Sequence, residues 1–170
     1  MQTSFTLSSI CEIQAEALCR SFPDIRVASL RFHHVCVPEV ASSRSTYRDF
    51  WSWTDLEAAV RACYLGATAA VPEFRQGHEA FYIMCNHLNV GNDMKELEYD
   101  KGKAGGEERI YAKFEGVDFD KVGTKELMDA VYPGVKIKEG WLSEEGERRG
   151  LFDSSKAERL LGWKHDVGPS

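Results

Sequence analysis

Two short runs of β-forming residues constrain this chain most: residues 25–32 (IRVASLRF) and 80–85 (AFYIMC), each preceded by a stretch with helical period. Ahead of the first, residues 9–22 place Ile10, Ile13, Ala17 and Leu18 on one face, and the Ser9 and Glu12 spacing matches a capping box expected to start the helix. Pro23 and Asp24 end that helix. Runs this short, with apolar residues on both alternating sides, suit strands buried on both faces, and helix followed by buried strand is half of a crossover unit. The expected class is therefore α/β, with a few parallel strands and flanking helices.

Before the second run, Thr54 or Asp55 can cap a helix whose Leu56, Ala59, Val60, Cys63 and Ala67 form an apolar stripe. Residues 37–47 are rich in Pro, Ser and Arg and read as a surface loop. Residues 86–123 hold six glycines and many charges without a sustained period, and are expected to form a disordered insertion in a single domain spanning 1–170. A short helix marked by Thr124, Leu127, Met128 and Val131 ends at Pro133. A last one is capped by Asp153 or Ser155 and closed by Gly162.

Charge narrows the partners. A formal net charge of -6, with a pI near 5.4, argues against nucleic acid and anionic membrane surfaces, both of which need concentrated basic charge. A small-molecule substrate or another protein fits better. The five cysteines are scattered through apolar segments, as reduced core thiols of a cytoplasmic protein would be. No run approaches the roughly 18 apolar residues of a membrane helix, and the first ten residues lack the pattern of a signal peptide.

Four segments, read in order, carry a resemblance: FTLSSICEIQAEAL, LRFHHVCVP, WTDLEAAVRAC with GHEAFYIM, and FDSSKAERLLGW. Together they resemble the C-terminal portion of the NAD-dependent epimerase/dehydratase family, the extended short-chain dehydrogenases. The last is similar to that family's Phe-Asp-x-x-Lys-Ala-x-x-x-Leu-Gly-Trp and is the most specific. The resemblance implies a truncated Rossmann-like C-terminal half, NAD or NADP as the family's cofactor, and an oxidoreductase reaction at a hydroxyl or carbonyl of a small metabolite or nucleotide sugar.

The departures matter as much. Phe5 stands at the family's tyrosine position and Ser9 at its lysine position, so neither catalytic role is filled: a phenyl ring cannot pass a proton and a serine has no ammonium. Only four residues precede Phe5, and no GxxGxxG or GxGxxG occurs anywhere; GKAGG at 102–106 follows no predicted strand. The expectation is that the chain alone neither binds the dinucleotide nor turns over substrate.

Substrate-pocket candidates are His34, at the family's Asn position, Trp51 and Trp53, which either line a cleft or cover the sheet, and Arg48, which either meets an anion or is solvated. No metal site is expected, because His33 and His34, adjacent on a strand, would point to opposite faces. Three readings stay open: a family member needing a separate Rossmann half, a non-catalytic substrate-binding or interaction module, or a truncated gene product. Uncovered strand edges and helix faces would favour self-association or a partner chain.

Overall fold

The computed structural model describes residues 2–37, 50–90, 117–144 and 146–165, with the side chains of 2–8 left undescribed. The chain is mixed α/β. Helix α1 (Gln2–Ser21) begins well before the expected Ser9 cap, which lies within it, and leads into strand β1 (Arg26–Phe32), which runs parallel to β4 (Gly77–Ile83) from the pair Arg26 and Gly77 to Phe32 and Ile83. Two-residue strands β2 (Val35–Cys36) and β3 (Thr54–Asp55) form a second parallel pair. Helix α2 (Leu56–Thr68) and a 3-10 turn (Pro72–Phe74) connect β3 to β4; α3 (Thr124–Val131) and α4 (Ser155–Leu161) follow.

Alternation along the strands sorts the layers. Val27, Ser29 and Arg31 share one face of β1 with α1, where Glu12 pairs with Arg31 and the Ser29 hydroxyl meets the His78 ring at 2.8 Å. Ala28, Leu30 and Phe32 face the other way, toward α2 and α4, in a core of Phe74, Phe81, Ile83, Leu160, Leu161 and Trp163. At the head of β1, the Arg26 guanidinium donates to the carbonyls of Gly66 and Ala67, supplying positive charge where the last turn of α2 exposes unpaired oxygens. All seven residues of β1 are half-buried, not buried on both faces as expected, since among the described residues it pairs only with β4.

Asp55, not Thr54, caps α2: its Oδ2 accepts from the Glu57 and Ala58 amides at 2.9 and 3.1 Å, while the Thr54 hydroxyl donates to the Ile83 carbonyl. The expected apolar stripe is displaced. Ala59 is buried, but Leu56 is 50% exposed and Val60 63%, and the helix instead buries Ala58 and Ala62. Small residues win because they let the helix approach the sheet: a Cβ placed on Gly66, one turn beyond Ala62, would lie 3.4 Å from the Ala28 Cβ.

A second core gathers Trp51, Leu88, Val90, Phe119, Val122, Leu127 and Met128. Arg148 ties it together by donating to the carbonyls of Phe119, Val122 and Val90 at 2.6, 2.9 and 2.6 Å. Burial pushes its pKa down from the ordinary value. Gly123 touches Gly146 so closely that a Cβ there would sit 2.7 Å from the Gly146 Cα, which excludes any larger residue. Of the insertion expected at 86–123, residues 91–116 lie outside the described residues, and both flanks contribute to this core.

Helices α3 and α4 end where their punctuation placed them, but the N-cap of α4 is Ser154 and not the expected Asp153 or Ser155. Gly162 takes φ 69° after α4 and its amide returns to the Glu158 carbonyl, so that the fully buried Trp163 turns inward and donates its indole N–H to the Ala58 carbonyl at 2.9 Å. Among the described residues, no helix is long and apolar enough to cross a membrane.

Candidate functional site

In open parallel sheets the carboxyl ends of the strands leave a crevice where ligands bind. Here that end carries rings. Phe152, just ahead of α4, lies between His33, Phe50 and Tyr82, with centroids 5.8, 5.9 and 5.9 Å away. Phe50 also meets Tyr132 at 5.5 Å, and His33 meets His34 at 5.1 Å. Tyr82 reaches the patch because it alternates with Phe81 and Ile83, which point into the core.

Backbone strain marks the same place. The described non-glycine residues with positive φ are His34 at 42°, Phe50 at 52° and Trp51 at 52°. Each such conformation costs about 1–3 kcal/mol and persists only where surrounding structure holds it. His34 is held by its carbonyl, which accepts from the Thr54 amide at 3.2 Å; Trp51 is held likewise by the Asn89 amide at 3.0 Å. The turn at His34 also corrects the expectation that His33 and His34 point to opposite faces. Strand β1 has ended at Phe32, period-two alternation no longer applies, and the two rings lie side by side.

Two acidic groups near the rings are already engaged. Arg31, whose guanidinium lies over the Tyr82 ring at 5.1 Å, donates from Nε and Nη2 to the two Glu12 oxygens at 2.7 and 2.5 Å. That hydrogen-bonded pairing holds the Glu12 carboxyl below its usual range and raises Arg31. Asp153, beside Phe152, accepts from the Ser155 amide at 2.9 Å, and its bonds to Ser155 lower its pKa.

The sequence candidates separate in space. His34 is exposed at the ring patch. Trp51 is fully buried in the second core, and Trp53, 6% exposed, packs with Cys85 and Cys36 and meets the His165 ring edge-on at 5.2 Å. Both indoles thus contribute to packing. Arg48 lies outside the described residues. Phe5 and Ser9 lie one helical turn apart on α1; Ser9 is exposed. Sequence reasoning did not pick out Tyr82, Tyr132 and Phe152, which are distant along the chain. The one usable signal was Phe152 opening the terminal motif.

A dinucleotide needs free amides at a helix start for its pyrophosphate. The α2 amides are taken by the Asp55 carboxylate, Asp153 precedes α4, and Glu126 lies in the first turn of α3. These carboxylates would repel a phosphate, so the described helix starts of α2, α3 and α4 do not fit the group. Among the described residues, no three His, Cys, Asp or Glu side chains come together as a metal site. Comparison with protein-family models, with curated proteins and with solved structures finds no match to this chain.

Proposed function

We propose that this chain is the substrate-side portion of a Rossmann-like, NAD-dependent epimerase/dehydratase-type fold, which holds a small molecule at the carboxyl ends of β1 and β4 but does not carry out hydride transfer alone. The observation that carries the reading is the placement of the terminal segment FDSSKAERLLGW: Phe152 stands at the ring patch, Asp153 precedes the helix, and Trp163 anchors the segment under α2. One segment thereby links the site to the core. Phe5 and Ser9 in place of a tyrosine and a lysine, and carboxylates at helix starts, support the absence of dinucleotide chemistry. Alone, the chain acts as a binding module.

Calorimetric titration of the 170-residue chain with NAD and with NADP tests this. No saturable heat is expected at millimolar ligand. A micromolar dissociation constant for either would contradict the proposal.

The same reading implies a covering surface, from a second copy or a partner chain. Supporting it, α1 exposes Ile10, Ile13 and Leu18, α2 exposes Leu56, Val60 and Tyr64, and among the described residues β1 pairs along one edge only. Sedimentation of the purified chain should show association; a clean monomer with cooperative thermal unfolding counts against it.

A further inference from the structure

We propose that α1 is held to the sheet by a proton-operated clasp in which His78, once protonated, bridges the Ser29 hydroxyl on β1 and the Glu16 carboxylate on α1. The helix lies with a polar side inward. Its contacts to the sheet include Glu12 and the buried Ala15, while Ile10, Ile13 and Leu18 are 46%, 62% and 43% exposed. Apolar burial therefore contributes little here, and polar groups decide how firmly the helix is seated. The His78 side chain, 7% exposed, stands between two of them: the Ser29 Oγ lies 2.8 Å from Nε2, and the Glu16 Oε1 lies 4.0 Å from Nδ1.

Both charge states of the ring fit this place, but not equally. A neutral imidazole accepts from the Ser29 hydroxyl at Nε2 and turns its Nδ1–H toward Glu16. The imidazolium donates at both nitrogens, and one of its partners is then a carboxylate of opposite charge. The neighbouring charges point the same way. Glu12, whose pKa is lowered chiefly by its hydrogen bond to Arg31 of β1, also feels the His78 charge. Tyr82, on the same face of β4, lies under the Arg31 guanidinium, and beyond Glu16 on α1 come the half-buried Cys19 and the exposed Arg20. Of the described groups in contact across this boundary, Glu12 and Glu16 face Arg31 as their one cation until His78 takes up a proton. That proton gains its carboxylate only while α1 is seated. Seating is thus firmest below the ordinary imidazole range, about 6–7, and loosens as pH rises through it.

The test is amide hydrogen exchange of the 170-residue chain on both sides of that range, at about pH 5.5 and about pH 8, with each rate corrected for intrinsic exchange. Protection of residues 10–21 should fall about two- to fivefold from the lower pH to the higher, a modest effect because the Glu16 side chain is 57% exposed, while protection of β4 holds. His78→Gln, which keeps a hydrogen bond to Ser29 but carries no charge, should make α1 exchange independent of pH across this window. Glu16→Gln should do the same with the imidazole still in place. Thermal unfolding of each variant separates a lost clasp from a lost fold, and Glu16→Gln, at an exposed side chain, carries the test if His78→Gln unfolds. Protection of α1 in the parent that does not change with pH, or a pH dependence undiminished in either folded variant, overturns the proposal.

Discussion

On the face of the sheet covered by α2 and α4, Phe74, Phe81, Ile83 and Trp163 are wholly withdrawn from solvent, whereas on the opposite face α1 buries only Ala15 among its described large and small apolar residues and leaves Ile13 62% exposed. One face is held by close packing of small helix residues against strands, the other by polar contacts to α1: Arg31 to Glu12 and His78 to Glu16. Packing density gives rigidity, and exposed ion pairs give little. The contrast teaches that the structural weight of the described chain rests on one side of its sheet.

The largest expected effect comes from the closed face. Trp163→Ala removes a fully buried ring and the indole bond to Ala58, and should cost about 3–5 kcal/mol in urea unfolding. A loss below about 1 kcal/mol would show that α4 is only loosely attached. In the second core, Arg148→Met strands three carbonyls and should cost about 2–3 kcal/mol, with an unchanged midpoint arguing that water replaces the guanidinium.

On the α1 face the effects shrink. The folded pKa of Glu12 is depressed below its ordinary value of 4.5, chiefly by the Arg31 hydrogen bond, so its contribution is present above that value and is lost as pH falls through the folded pKa. With Arg31 40% exposed, solvent screening keeps the pair under about 1 kcal/mol. Glu12→Gln should remove this part of the acid dependence, visible as a flatter stability profile below pH 4.5. Retention of the full acid slope would assign it to other carboxylates. Smallest is Ile13→Ser, within about 0.5 kcal/mol for the folded chain; as part of the proposed covering surface it should also lower association in sedimentation.

Contrary to the expectation of core thiols, exposure differs among the cysteines, and thiol chemistry reads it without mutation. Cys11 on α1 and Cys63 on the outer surface of α2 are exposed, while burial pushes the Cys85 thiol up. Under native conditions a thiol reagent should label Cys11 and Cys63 and leave Cys85 until unfolding. Early labelling of Cys85 would place the strand end in solvent.

Some of this was legible in the chain and some was not, for physical reasons. Pro133 and Gly162 end helices by removing a donor and by taking a left-handed conformation, so the ends of α3 and α4 could be read directly. Helix α2 was placed correctly but turned to the wrong face, because a hydrophobic period favours Leu56 and Val60 while close approach to the sheet selects Ala58, Ala62 and Gly66. At the site, His34 was identifiable from its position after a strand. Its left-handed backbone was not, and neither was the gathering of Phe50, Tyr82, Tyr132 and Phe152, which depends on tertiary contacts that no local pattern encodes.

Amide hydrogen exchange, followed peptide by peptide on the purified chain, tests the uneven sheet most directly. The account predicts that β4, α2 and α4 exchange only through global opening, while α1 and the described unpaired edge of β1 exchange much earlier. Protection of α1 equal to that of β4 in the isolated monomer would contradict it.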